Sequence, residues 1–421
     1  MKTKFLGQAG LLVETKTCKL VCDPWFSRTG GFLARWHQFP PNEHIDKHIL
    51  HDADYLYVSH EHHDHCDREF LETFPKEIPV ILANFQTKDF RDYFRELEFS
   101  KIIELNDWET IKLSDDFEIM MITDPSKYKE DSAIFIKAED HKILNKNDCY
   151  LSQDYLREFS HFGIDVLFTQ HSGAIWYPMV YEYEDIRMKE NAKKVKTRLL
   201  ESFVDTVNTI KPTFVVPYAG PPCFLEDDCF KFNFEENGIF PDQHDFAPKI
   251  ENKIISKYNM MMPNDDLIID TQGSIKFENF NHFDFERKEE LLKEYQKKRL
   301  PYINNYLQNI PEPKNDLYEK FDEYFKKLIN QTNISIDTIC ADYLMECPLH
   351  SKDELISAQA QKILLKLLKA SVELGVTNIV IPCVDQSSIK GIDDLNTTGI
   401  YWQNNDSRYT WSIERVHKSN G

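Results

Sequence analysis

Ten residues, Val58–Asp67, read VSHEHHDHCD and hold four histidines and three acids. His60, His62, Asp64 and His65 stand in the spacing H-x-H-x-D-H. Imidazole is the commonest transition-metal ligand, and a carboxylate among imidazoles suits zinc, iron or manganese. With fifteen histidines in 421 residues, four within six positions is a concentration that a solvated acidic loop does not explain. We read the four residues as metal ligands and His63 as their neighbour. The apolar run DYLYV precedes them, so the ligands sit on a loop at the C-terminal edge of a strand. An extended start places His60 and His62 on one side, two residues apart, where they can share one ion. A tight turn then carries Asp64 and His65 towards a second.

The elements that must position this loop are mostly short. KFLGQAGLLVET and CKLVCDPW read as a hairpin of strands. DYLYVSH, IPVILAN, KIIEL, FEIMMIT, DSAIFIKA, HKILN, DVLFTQ and TFVVPYAG read as further strands. An amphipathic helix, RMKENAKKVKTRLLESFVDTVNTI, lies between the last two. Strands with helices interspersed predict an α/β sandwich over residues 1–250. Residues 251–332 read as a helical linker or cap, two charged helices split by NIPEPKND. Residues 333–390 read as strand, helix SKDELISAQAQKILLKLLKASVELG and strand NIVIPCVD, a β-α-β unit whose strands pair in parallel. Residues 391–421 are a polar tail without a clear period.

Composition bounds the partners. A formal charge of −20 argues against nucleic acid or an anionic membrane as the main partner. The apolar stretch near the N-terminus is too short for a signal segment, and no later run approaches a membrane span. Nine cysteines scattered through a long chain do not make a disulfide framework, so a reduced, cytoplasmic protein is expected.

The motif, with the preceding KFLGQAGLLVET…LVCDPW and the later HKILNKNDC, resembles the metallo-β-lactamase fold over about residues 3–245. That resemblance implies a four-layer αββα sandwich with two metals at the sheet edge. It also implies that Asp148 is the aspartate bridging them, which makes Asp64 and Asp148 the residues closest to the chemistry. Most hydrolases of this fold carry a third histidine between the motif and that aspartate. Here FEIMMITDPSKYKEDSAIFI contains none, and Asp124 stands at the strand end instead. Where a last histidine usually follows a strand like KPTFVVP, this chain continues YAGPPCF. Oxygen-rich ligation suits iron or manganese better than zinc, and it leaves positions open for water, oxygen or substrate.

A narrower resemblance is to the catalytic domain of the CMP-N-acetylneuraminate hydroxylases, which convert an N-acetyl group to N-glycolyl on a nucleotide-activated sugar. It rests on VCDPWFSRTGGFLARWHQFPP, YVSHEHHDHCD, MMITDPSKYKEDSAIFI, HKILNKNDC, SGAIWYPMVY and VVPYAGPPCF, in the same order. Asp124 matches an aspartate of that pattern. The resemblance implies a dinuclear, oxygen-using centre, with iron favoured and zinc or manganese as alternatives. The other open reading is a metal-dependent hydrolase of a phosphodiester, lactone or amide, in which a metal lowers the pKa of bound water.

Hydroxylases of this kind carry a Rieske domain held by C-x-H and C-x-x-H pairs. CPLH (Cys347–His350) supplies one C-x-x-H, but no C-x-H occurs and the chain starts at the first sandwich strand. A separate Rieske or ferredoxin-type electron donor is therefore expected. An anionic nucleotide sugar needs cationic clamps and aromatic faces. Arg28, Arg35, Trp36, Trp176, Tyr177 and Tyr218 are the candidates for that pocket wall; His171 is either a compensating ligand of the second metal or, the preferred reading, a polar residue lining the pocket. IDTICADYLMECPLHS…LLKASVELGVTNIVIPCVD resembles part of a xylose-isomerase-like sugar isomerase barrel. A complete barrel needs about 250 residues. Residues 334–421 are too few for one, which leaves a barrel remnant or a cap.

Overall fold

The computed structural model describes residues 1–310 except 127–129, 174, 176, 179, 180, 182 and 281. Beyond residue 310 it describes 323–324, 326–327, 331, 337–341, 344, 348–349, 351, 353–374, 376–381, 401–403 and 410–412. The chain divides into two units, Met1–Glu312 and Pro313–Gly421.

The first unit is built on two sheets. The first is eight-stranded and opens with an antiparallel meander, β1 (Lys2–Gly7), β2 (Gly10–Glu14) and β3 (Lys19–Cys22). A two-strand hairpin was expected there; the LLVET and KLVC runs pair as well and make it three. From β3 the sheet continues in parallel through β4 (Tyr55–Tyr57), β5 (Val80–Ala83) and β6 (Ile102–Leu105). Parallel pairing needs crossovers, and α1 (Arg68–Leu71) and α2 (Asp89–Glu96) lie in two of them. On the other side of β1, β14 (Asp266–Ile269) and β15 (Ile275–Glu278) complete the sheet. The first sheet thus draws on residues well past 250.

The second sheet is seven-stranded. β7 (Thr110–Ser114), β8 (Phe117–Thr123), β9 (Ser132–Ala138) and β10 (His141–Asn147) are antiparallel neighbours in turn. β10, β11 (Val166–Gln170), β12 (Phe214–Tyr218) and β13 (Lys257–Tyr258) are parallel. The crossovers carry α3 (Gln153–Ser160) and α4 (Asp185–Ile210), with α5 (Gln243–Ile250) before β13. The expected amphipathic helix is α4. It ends where Lys211 turns left-handed and its N–H reaches Val207 O at 2.8 Å.

Strand periodicity sorts the side chains into layers. In β9, Ile134 and Ile136 join the core between the sheets, while Ala133 and Phe135 pack with Leu156 and Phe159 of α3 and Phe203 and Val207 of α4. The same alternation separates Val166 and Phe168 from Leu167 in β11. Phe70 and Phe90, from α1 and α2, pack with the residues of the first sheet. The result is helix, sheet, sheet, helix, as expected.

A long loop joins β3 to β4 and buries His37, whose N–H donates to Cys223 O at 3.0 Å. Its Nε2 donates to Ala34 O at 3.1 Å, and Nδ1 is buried without a partner. Burial, with Arg299 nearby, pushes the His37 imidazole down to about 3. The unfolded chain takes a proton near pH 6.5 and the folded one does not, so this site favours folding above pH 6.5 and loses its contribution as pH falls towards 3. We expect His37→Gln to remove about 2 kcal/mol of the pH dependence of stability between pH 6.5 and 5. Urea titrations of both proteins check this, and equal slopes against pH would refute it.

α6 (Lys288–Gln308) is the first of the expected charged helices; most of the second lies outside the described residues. In the second unit β16 (Thr338–Cys340) and β17 (Asn378–Val380) pair in parallel across α7 (Glu354–Leu374), the β-α-β order read from the sequence. Leu344, Ala360 and Leu364 form its small core. Cys347 and His350 lie outside the described residues, as does most of the polar tail. What is described of that tail is an antiparallel pair, β18 (Tyr401–Gln403) with β19 (Thr410–Ser412). Among the described residues no helix is long and apolar enough to cross a membrane, and the described cysteines form no disulfide.

Candidate metal centre

Strand direction gathers the polar residues at one edge. Asp23 follows β3, the histidine motif follows parallel β4, and Asp148 follows β10. Gln8 follows β1, Asp124 follows β8, and Asp131 precedes antiparallel β9, so all face the same edge. Ser132 links the sheets there, its Oγ donating to Ser59 O at 2.7 Å. Gln8, Asp23 and Asn147 hold left-handed φ angles of 51°, 42° and 44°, a conformation uncommon outside glycine. At Asn147 this turn, with Cys149 N donating to its Oδ1 at 2.8 Å, swings Asp148 out of the β10 ladder.

His60, His65 and Asp148 form a group whose ligand atoms all lie within 4.8 Å of one another. His65 Nε2 stands 3.3 Å from Asp148 Oδ1 and 3.7 Å from Asp64 Oδ2. Both His65 Nε2 and Asp148 Oδ1 are buried without a hydrogen-bond partner. Buried polar atoms are rarely left so, and two that face each other, one imidazole and one carboxylate, fit a transition-metal ion. His62 adjoins the group, its Nδ1 2.8 Å from His60 Nε2. Asp64 is held by Gln8, whose Nε2 donates to Oδ2 at 2.9 Å.

The far nitrogens of both rings are anchored. His65 Nδ1 lies 2.9 Å from Asp23 Oδ2. A carboxylate only accepts, so Nδ1 carries a proton, and Nε2 is the nitrogen that gives up its proton when a metal binds. Asp23 is itself fixed by Ser59, whose N–H and Oγ donate at 2.8 and 2.7 Å. His60 Nδ1 likewise faces Asp131 Oδ1 at 3.2 Å. Burial pushes the Asp148 carboxyl up, but the rings of His65, His60 and His62 outweigh it and bring the group down to about 2. Burial lowers His65 as well, yet Asp148, Asp64 and Asp23 together hold it well above the ordinary histidine range. Such mutual charge stabilisation is what a dense cluster of imidazoles and carboxylates produces.

Asp124 is buried at the same edge but outside the group; its Oδ1 accepts Ser126 N at 2.7 Å and its N–H donates to Asp131 O. Its charge reaches Lys146, which burial holds below the ordinary lysine range against the pull of Cys149, Asp148, Asp131 and Asp124. His63 is no part of the group; its Nδ1 accepts Phe32 N at 2.8 Å, so the loop after β3 covers the motif. His171 is buried beside Phe246, with Nδ1 3.1 Å from Tyr218 O and Nε2 without a partner.

The candidate pocket wall divides. Trp36 and Tyr218 were expected to offer ring faces to a ligand, and both are core instead. Trp36 is 2% exposed among Trp25, Phe32 and Phe240, and Tyr218 is 1% exposed, its hydroxyl donating to Asn145 Oδ1. Arg35 is spent on an ion pair with Glu226. Tyr177 is half-buried against Tyr181 and Tyr183, and Trp176 lies outside the described residues. Arg28 lines a cavity. Asp23, Asp131 and Gln8 escaped the sequence reading, although Asp23 lies in the LVCDPW run; nothing local to a lone acid tells a ligand's anchor from a turn residue.

No protein-family model matches the chain. Over 262 residues it is 34% identical to a Mycobacterium tuberculosis protein named, provisionally, as a Rieske 2Fe-2S iron–sulfur protein, covering 59% of this chain and 50% of that one. Over 234 residues it is 27% identical to the cytidine monophosphate-N-acetylneuraminic acid hydroxylase of Danio rerio, covering 51% of this chain and 37% of that one. The chain thus spans half or less of the length of these relatives. A metallo-β-lactamase fold protein from Bacillus subtilis matches 63% of the chain and 97% of its own at 13% identity and a TM-score of 0.39. Two facing sheets flanked by helices, with the H-x-H-x-D-H loop at the C-terminal edge of β4, give this chain the metallo-β-lactamase fold.

Proposed function

We propose that this metal-dependent enzyme is an oxygenase that hydroxylates a nucleotide-activated sialic acid or related sugar. The observation that carries the reading is the donor set. Three imidazoles, His60, His62 and His65, meet two carboxylates, Asp64 and Asp148, and buried Asp124 stands at the same edge where hydrolases of this fold carry a further histidine; such mixed imidazole–carboxylate ligation suits iron. The names of the relatives support it, one a hydroxylase of such a sugar and the other a Rieske protein.

In this reading His60, His62, Asp64, His65 and Asp148 hold two metal ions, with Asp124 on the side of the second. The ions supply oxygen activation when bound. Asp23 and Asp131 hold a proton on Nδ1 of His65 and His60 and so turn both Nε2 atoms towards the metal side, where His60 Nε2 meets His62 Nδ1. Asp148 stays ionised through the physiological range, its carboxyl lying at about 2. Insertion of one atom of dioxygen into a C–H bond of the N-acetyl group, with the other leaving as water, consumes two electrons and two protons. A separate Rieske or ferredoxin-type partner delivers the electrons. Arg28 and Tyr177 remain candidates for contacts to the sugar nucleotide.

One observation favours the hydrolytic alternative: His171 Nε2, buried and unpartnered at the same sheet edge, is an imidazole the motif does not account for. Metal analysis with a product assay separates the two. We expect about two irons per chain after anaerobic purification, as a two-metal site requires. With an iron–sulfur reductant, dioxygen and CMP-N-acetylneuraminate, we expect a product one oxygen heavier by mass spectrometry. Zinc alone, with turnover of a phosphodiester, lactone or amide and no dioxygen uptake, would sink the oxygenase reading.

A further inference from the structure

A cavity of about 380 Å³ lies between the loop after β3 and helix α6. Arg28, Lys47, Lys298 and Arg299 line it, against a single carboxylate, Glu43. In a chain of net charge −20, four cations around one acid are not a compositional accident. Glu43 cannot neutralise them: it stands 3.4 Å from Arg299 Nη2 and 3.9 Å from Lys298 Nζ, and the described ion pairs give Arg28 and Lys47 no carboxylate.

Arg299 is the decisive group. It is 1% exposed, and its Nε and Nη1 have no hydrogen-bond partner. Only Nη2 is engaged, donating to Tyr295 OH at 3.0 Å besides the Glu43 contact. A buried guanidinium with two idle nitrogens is costly, and because Nε–H and Nη1–H do not share a face, each is left to donate a single charge-assisted bond to an anion's oxygen. Arg28 and Lys47 are already turned to the rings of Tyr302 and Phe26, with their charges 5.5 and 5.3 Å from the centroids. Burial holds Lys47 below the ordinary lysine range; Asp67 and Glu69 pull it up, while Arg28 and Arg299 push it further down. A second cavity of about 280 Å³ shares Phe26, Arg28, Lys47 and Tyr302 and adds Glu69, whose carboxylate is occupied by the N–H groups of Arg28 and Thr29 and the Ser27 hydroxyl, so there is room beside the cations for an organic group and two aromatic rings to meet it.

We propose that this cavity binds a phosphate group, with Arg299 at its floor and Arg28, Lys47 and Lys298 as the charges around it. The phosphate is either free or borne by a nucleotide. None of the metal ligands lines the cavity; Arg28 is shared with the sugar-nucleotide contacts proposed above, so a nucleotide-borne phosphate here rests on that reading and a free phosphate does not.

Isothermal titration of the full chain at low salt, with inorganic phosphate and with AMP, tests it. We expect saturable one-site binding. Arg28→Ala and Lys298→Ala, at the rim, should each weaken it by about tenfold, the worth of one charge-assisted hydrogen bond. Arg299→Met should abolish it; if that variant does not fold, the two rim variants decide. Binding should persist in the metal-ligand variant His65→Ala. AMP binding about tenfold tighter than phosphate would identify an organic phosphate as the occupant, and equal affinities a free one. No saturable binding of either probe, unchanged affinity in both rim variants, or binding lost with His65→Ala and kept with Arg28→Ala would overturn the proposal.

Discussion

His65→Ala is expected to strip the protein of metal and to lower activity by more than about a hundredfold, beyond what loss of an outer-sphere partner costs. His65 is where the site's contacts converge. Its Nε2 faces Asp148 Oδ1 at 3.3 Å and Asp64 Oδ2 at 3.7 Å, and its Nδ1 is held by Asp23. Alanine removes the ring and leaves three carboxylates facing a void. Like charges brought together without their counter-charge raise one another's pKa, so the site takes up protons rather than metal. Elemental analysis of the purified variant, with circular dichroism to establish that it folds, is the direct check. Because His65 is fully buried, a fold-neutral companion is needed. Asp148→Asn keeps the shape, removes one charge and should show the same loss of metal. Metal retained at the wild-type ratio in both variants would defeat the assignment of the site.

The second large effect comes from a residue that touches no ligand. Asp23→Asn should weaken metal affinity by about 10- to 100-fold with little change in shape. The reason is the tautomer. Asp23 Oδ1 accepts Ser59 N at 2.8 Å, so an asparagine keeps its oxygen there and turns its NH2 towards Ser59 Oγ and His65 Nδ1. Two donors then face each other, and the imidazole relieves the clash by moving its proton to Nε2, the atom the metal needs. Asp23 is thus a positioning residue, and the readout that shows this is metal affinity by competition with a chelator, measured beside thermal stability. A variant that loses stability but binds metal as tightly as wild type would reduce Asp23 to a structural role.

Much of this was already written in the chain. H-x-H-x-D-H after an apolar β run is a local pattern, and the structure places it on the loop after β4 because strand and loop are themselves local. The layers follow from alternation within single strands, as in β9, where successive residues part between the inter-sheet core and the helices. Helix α4 was visible for the same reason, since a period of 3.6 residues needs no distant partner. The β-α-β order of the second unit was legible too, because parallel strands demand a crossover.

What tertiary structure alone decided is which distant residues meet. Asp23 reaches His65 across 42 positions, and Ser132 reaches Ser59 across 73. Trp36 and Tyr218 went to the core because the packing of neighbouring layers, not the type of side chain, selects which rings keep a free face. Arg299, an inconspicuous residue in a charged helix, became the floor of a cation-lined cavity beside Arg28 only once α6 met the loop after β3. An isolated acid, ring or guanidinium carries no mark of its future partner. Its role is set by chain closure over tens to hundreds of residues, and that information resides in the whole pattern of strand pairing rather than in any window of sequence.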